Sequence, residues 1–175
     1  MKFISTPLAG SFLVEFEPVA DDRGFFARCW SRDEFESQGL DVKIAACSIS
    51  FNERKGTLRG MHHQDPFPEA KLIRCSSGAI HDVIVDLRPS SSTYLKWFAA
   101  HLTSENRHML YVPQGFAHGF QTLVDRTEIF YQISEAYKPE YARGIRWNDP
   151  ILAIDWPIQD PIVSLRDRSF PDFKR

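Results

Sequence analysis

Ala79-Ile80-His81-Asp82-Val83-Ile84-Val85-Asp86-Leu87 is the most strand-like stretch of the chain, a nearly unbroken aliphatic and β-branched run closed by the turn chemistry of Arg88-Pro89-Ser90. Shorter runs of the same character flank it at Lys71–Cys75, Leu95–Leu102, His108–Val112, Gly119–Leu123 and Glu128–Ser134, with Pro113-Gln114-Gly115 as a further break. Closely spaced strands without intervening helices imply an all-β sheet that closes on itself or folds into two layers. Upstream, Phe12–Phe16 reads as another strand and Asp21-Asp22-Arg23-Gly24 as a turn, after which Phe25 and Phe26 resume the strand. Ser31 followed by Glu34 has the spacing of a capping box, and Gly39 is placed to stop the short N-terminal helix begun at Glu34. From Trp147 onward the proline-bearing tail is expected to wrap the sheets irregularly.

At 175 residues the chain has the length of one domain, and without a repeat or a low-complexity linker residues 1–175 are read as a single unit. A net charge of −2, from 21 basic and 23 acidic residues, lacks the basic footprint of a nucleic-acid binder. No run approaches the ~20 apolar residues of a membrane span. Cys29, Cys47 and Cys75 are odd in number and have no CxxC spacing, so a reducing cytoplasm is the expected compartment rather than a disulfide-forming one.

Chemistry concentrates in Leu58-Arg59-Gly60-Met61-His62-His63-Gln64 and the following Lys71, which bring two imidazoles and cations close in sequence and suit an anionic substrate. In an extended strand His62 and His63 point to opposite faces, so one is expected in a pocket and the other on the surface or in packing. An isolated strand histidine ordinarily serves a structural hydrogen bond. Tyr131 shares a face with Ile129 and Ile133, which aims its hydroxyl into the interior, where it is either a hydrogen-bonded core residue or a proton donor. Pro113-Gln114-Gly115-Phe116-Ala117-His118 has the P-x-G-x-x-H form that supplies one ligand in metal-dependent cupin barrels. Those barrels complete the set with H-x-H and a Glu; here His62 and His63 are adjacent and no suitably spaced Glu follows, so no metal is expected. Asp167, in Ser164-Leu165-Arg166-Asp167-Arg168, reads from spacing alone as part of a solvated tail.

Seven ordered stretches together resemble the dTDP-4-dehydrorhamnose 3,5-epimerase family, cupin-like jelly-roll enzymes of deoxysugar biosynthesis: Asp22–Phe26, Leu58–His62, Lys71-Leu72, Asp82–Arg88, Gly115–Phe120, Gly144–Pro150 and Asp155–Pro157. The resemblance implies a double-stranded β-helix, a homodimer whose sites borrow residues across the interface, and a nucleoside-diphosphate 4-keto-sugar as substrate. It places the family's base on His62, its lysine on Lys71, its tyrosine acid on Tyr131, and the aspartate that holds the base in its tautomer on Asp167. It also puts Arg23 and Arg59 at the diphosphate, Phe26 among the substrate-binding residues, Arg28 at the nucleotide end, and His118 in the pocket lining. A base beside a C4 ketone needs no redox or metal cofactor to move a C–H proton.

Three departures bear on specificity. Ile44 and Ala46 stand where many members carry a Gln-x-Asn pair, Arg28 replaces a frequent acidic residue, and His63 replaces Tyr or Phe. A site that loses amides discriminates differently among hydroxylated substrates. A 3,4-ketoisomerase on the same scaffold, a metal-dependent oxygenase using His62, His63 and His118, and a non-catalytic sugar-nucleotide binder are the competing readings.

Overall fold

A computed structural model describes residues 1–173. Its strands, in chain order, are β1 (Lys2–Ser5), β2 (Phe12–Glu15), β3 (Val19–Asp21), β4 (Gly24–Phe26), β5 (Ala46–Asn52), β6 (Thr57–Gln64), β7 (Lys71–Ser77), β8 (Ala79–Asp86), β9 (Trp97–Thr103), β10 (Met109–Val112), β11 (Phe116–Thr122), β12 (Thr127–Ile133), β13 (Ala142–Gly144) and β14 (Ile162–Val163). Two short α-helices, α1 (Arg32–Ser37) and α2 (Leu165–Arg168), and a 3-10 turn at Pro139–Tyr141 complete the regular structure of the described residues.

The strands form a jelly roll of two facing sheets. One runs β1-β2-β10-β7-β12-β5; the other runs β13-β6-β11-β8-β9, with β14 added parallel to the start of β6. The remaining hairpin, β3–β4, stands apart as a two-stranded sheet.

The central stretch Ala79–Asp86 is apolar on both faces because it is covered on both. Ile80 and Ile84 join Ile73, Leu110, Phe116 and Ile129 in the cluster between the sheets. Val83 and Val85 point the other way, into a cluster with Leu58, Met61 and Ala117 that the tail seals with Ile145, Leu152, Ile154 and Trp156. Burying one such side chain contributes about 1.5–3 kcal/mol, so the tail is part of the core. It is also more regular than its prolines imply, supplying β14 and the single turn α2, whose N-cap Ser164 accepts the Asp167 amide N–H at 3.1 Å.

The outer face of the first sheet is covered by α1, where Phe35 packs against Val14, Leu72, Met109 and Tyr111. The helix begins at Arg32, two residues before the expected start, and Ser31 makes no side-chain cap. Glu34 accepts instead from the Met1 ammonium at 2.5 Å, an ionic partner that outbids a capping-box role. Gly39, at φ +69°, stops the helix as expected.

β8 ends on a buried anion. Asp86 accepts from Arg88 Nε at 2.9 Å, Ser91 Oγ at 2.5 Å and Thr93 Oγ1 at 2.6 Å, while Arg88 also donates to the Ala9 carbonyl at 2.7 Å. Burial alone would raise its pKa, but these bonds outweigh it and hold the carboxyl down at about 2. Its folded-state pKa therefore lies below that of the unfolded chain, so Asp86 stabilises the fold fully above about pH 4 and ceases to do so as pH falls through about 2. Urea unfolding between pH 5 and pH 2 is expected to show a steeper loss of stability for the wild type than for Asp86→Asn; parallel curves would remove Asp86 from the acid response.

Candidate active site

The site begins with an irregularity between β6 and β11. His118 lies opposite His62 and Phe120 opposite Arg59, so Gly60 and Met61 together face the single residue Gly119. Gly60 has φ +143°, and a Cβ there would stand 2.5 Å from the Gly119 Cα; a Cβ on Gly119 would stand 2.6 Å from the Met61 sulfur and 2.9 Å from the Arg59 carbonyl oxygen. Only glycine permits this approach from either side. In a regular strand, residues three apart face opposite ways; the extra residue of the bulge brings Arg59 and His62 to the same side and sends Met61 to the other, into the tail-covered cluster.

Arg59 and His62 then border a cavity of about 390 Å³ between the sheets. One wall carries Arg59, His62 and His118; the other carries Ser48, Lys71 and Tyr131 from β5, β7 and β12.

On the first wall, His62 Nε2 lies 2.9 Å from Asp167 Oδ1, and the Gly60 amide donates to Oδ2 at 3.2 Å. The Asp167 side chain is 6% exposed and that of His62 41%. Burial pushes the Asp167 pKa up, but the His62 ring and the Gly60 N–H pull it down further, leaving it below the ordinary range. An ionised carboxylate only accepts, which assigns the proton to Nε2 and leaves the lone pair on Nδ1. Phe170 packs edge-on to the imidazole with centroids 5.8 Å apart, in a space that stays open because residue 144 is glycine.

On the facing wall, burial, reinforced by Asp82, pushes the Tyr131 phenol well above its ordinary pKa, so the hydroxyl is held protonated. Its ring meets His118 edge-to-face at 6.0 Å, and His118 Nε2 is fixed 2.7 Å from Asp82 Oδ1. Lys71 Nζ lies 3.0 Å from Glu69 Oε1. Arg59 is braced by Asn52 Oδ1, which accepts from Nε at 2.8 Å.

The chain thus brings together His62, Asp167, Lys71, Tyr131, Arg59 and His118. It keeps Arg23, Phe26 and Arg28 away from the cavity: Arg23 is paired with Asp21 on the separate hairpin, Phe26 is 77% exposed, and Arg28 reaches Glu34 at 3.5 Å. His63, expected on the opposite face from His62, also borders the cavity, as does Arg143, its partner across β6 and β13. Glu69, Arg143 and Arg166 line it as well and carry no sequence pattern that marks them. Among the described residues no three His, Cys, Asp or Glu side chains converge as metal ligands, and the Nε2 atoms of His62 and His118 are both taken by carboxylates.

A jelly roll holding a carboxylate-oriented imidazole on one sheet and a protonated phenol on the other defines an isomerase that works by acid–base chemistry. Residues 5–175 match the family described as dTDP-4-dehydrorhamnose 3,5-epimerase, and the chain belongs to that family. A dTDP-4-dehydrorhamnose 3,5-epimerase of Methanothermobacter thermautotrophicus is 42% identical over 97% of this chain and 92% of its own. The Bacillus anthracis epimerase crystallised with TDP and PPi superposes with a TM-score of 0.94 at 40% identity, covering 98% of this chain and 99% of the other. A 3'-monoepimerase from Streptomyces bikiniensis, in complex with dTDP-quinovose, gives a TM-score of 0.88 at 29% identity over 95% and 85% of the two chains.

Because Asp167 sets the His62 tautomer, Asp167→Asn is expected to offer an amide N–H to Nε2, moving the ring proton to Nδ1. Epimerase turnover should fall by roughly 10³–10⁴, the scale of a wrong-tautomer base, while the circular dichroism stays unchanged. Nitrogen-15 shifts of His62 would report the tautomer directly, and an unaltered ring in the variant would rule out the assignment.

Proposed function

We propose that the protein inverts C3, C5 or both in a nucleoside-diphosphate 4-keto-6-deoxyhexose. The observation that carries this reading is the placement of a base, His62, and an acid, Tyr131, on opposite walls of one cavity. A ketone at C4 acidifies the C–H bonds at C3 and C5. Nδ1 of His62 takes one of these protons, the electron pair moves onto the C4 oxygen as an enolate, and the Lys71 ammonium stabilises that oxygen. A positioned donor at a developing oxyanion contributes about 2.7–4 kcal/mol. The enolate carbon then takes the Tyr131 proton on its other face, and solvent restores both groups. The raised Tyr131 pKa keeps the proton in place at rest, and formation of the C–H bond drives its release. No electrons are exchanged, so the step balances without a redox cofactor.

Arg59, at the cavity, and Arg23, on the hairpin, are assigned to the diphosphate, whose oxygens a guanidinium engages bidentately. For Arg23, Phe26 and Arg28 to act there they must come from a second copy of the chain. Supporting this homodimer, β5 is an edge strand with Ile49 and Phe51 exposed, and Val19, Phe25 and Phe26 leave an apolar surface on the hairpin. Three free thiols, Cys29, Cys47 and Cys75, fit a cytoplasmic location. No described helix is long and apolar enough to cross a membrane.

Incubation with dTDP- and CDP-4-keto-6-deoxyglucose in D₂O, followed by proton NMR, is expected to show deuterium at C3, C5 or both; an intact protein that exchanges neither substrate fails the proposal. His62→Ala should abolish exchange, and undiminished exchange would reassign the base. Tyr131→Phe should retain exchange but impair inversion. Sharing of the site is tested by mixing: His62→Ala and Arg23→Ala chains, each inactive alone, should regain activity after joint unfolding and refolding, since mixed dimers hold one intact site. Mixed dimers that stay inactive would argue that Arg23 serves no neighbouring site.

A further inference from the structure

We infer that Phe25 and Arg107 form a clasp that sets the direction in which the β3–β4 hairpin presents Arg23 and Phe26, which makes Arg107 a positioning residue for nucleotide binding. The inference rests on the reading above that the hairpin serves a second copy of the chain. The hairpin is a two-stranded sheet that pairs with neither of the large sheets. Among the described residues no hydrogen bond joins Val19–Phe26 to the body, and Arg23 itself bonds only to Asp21. A cavity of about 290 Å³ is bordered by Phe25 and Ala27 together with Arg74 and Ser76 of β7, so packing between the hairpin and that sheet is incomplete. The direction of the hairpin therefore depends on few contacts.

Those contacts converge on Phe25. Side chains alternate along a strand, so Phe25 and Phe26 point to opposite faces of β4. Phe25 turns to the body and stacks on Phe16, with centroids 6.1 Å and planes 25° apart. The Arg107 guanidinium carbon lies 5.0 Å from the centre of the same ring, within reach of its negative face. Phe26, on the other face, stays exposed.

The turn that carries Arg107 is built to hold it there. Arg107 has φ +56°, in the left-handed region that a residue with a Cβ seldom adopts. Thr103 Oγ1 accepts from the Glu105 and Asn106 amides at 3.2 and 2.9 Å, and Asn106 Oδ1 accepts from the Thr103 and His108 amides, each at 3.0 Å. The Arg107 amide donates to the Thr103 carbonyl at 3.0 Å, and its Nη1 donates to the Glu105 carbonyl at 2.9 Å, which aims the guanidinium. A clasp of this kind preorganises the hairpin. Loosening it lowers the fraction of time that Arg23 and Phe26 spend in position, and nucleotide affinity falls by that fraction.

The test is a pair of double-mutant cycles read as the Kd for dTDP by calorimetry. Arg107→Gln should weaken dTDP about two- to fivefold, the scale of one exposed cation–π contact, whereas Arg107→Lys, which keeps the cation, should retain most of the affinity. Because the clasp acts through Phe25 and on Arg23, Arg107→Gln should add little once Phe25→Leu or Arg23→Ala is already present. Wild-type affinity in Arg107→Gln, a lysine variant as weak as the glutamine one, or a loss that persists undiminished in the Arg23→Ala chain would each overturn the clasp. If Phe25→Leu does not fold, or Arg23→Ala binds too weakly to measure, the other cycle decides. An Arg23→Ala chain that binds dTDP as tightly as the wild type would remove the hairpin from the nucleotide site and this inference with it. A wild type that binds no dTDP would remove the nucleotide reading as well.

Discussion

The contact between Gly60 and Gly119 governs how the β6 wall of the cavity presents its side chains. Two backbones approach where neither position has room for a Cβ, and the approach inserts one residue into β6. From that insertion follow three results at once. Arg59 and His62 share a face, Met61 turns into the cluster under the tail, and the Gly60 amide reaches Asp167. A regular ladder at this point would send either the arginine or the histidine out of the cavity.

The two sheets divide the electrostatic work. The β6 wall holds a negative charge behind its imidazole, through Asp167, and so favours taking a proton. The β12 wall buries a phenol close to Asp82 and so favours keeping one. Lys71, on the wall that carries Tyr131, holds its ammonium 3.0 Å from Glu69 Oε1. The imidazole and the phenol are thus anchored in separate layers, on opposite walls of the cavity.

What could be read from the sequence tracks what is local. Ala79–Leu87 announces a central strand because burial on both faces leaves an uninterrupted apolar run, and β7, β10 and β12 lie within two residues of their expected limits. The capping box at Ser31 fails because Glu34 finds the Met1 ammonium, a partner 33 residues away that no local pattern shows. Asp167 is illegible for the same reason: its meaning lies in His62, 105 positions earlier, and only resemblance singled it out. Strand alternation sends His63 to the far face from His62, yet both border the cavity. Glu69 sits in a loop, where no periodicity exists to interpret. Arg23 and Phe26 belong to the β3–β4 hairpin and Arg28 follows it, and none of the three borders the cavity of its own chain.

The lateness of Asp167 has a consequence for the life of the protein in a cell. On the ribosome the strands through β12 are all made before α2 emerges, so the carboxylate that orients His62 is among the last side chains to be supplied. The pairing with His62 would form when β14 docks beside β6 and carries Asp167 into place. The same join can be undone by a protease: a cut ahead of Ile162 would leave the carboxylate no longer joined by the chain to the strand that holds His62.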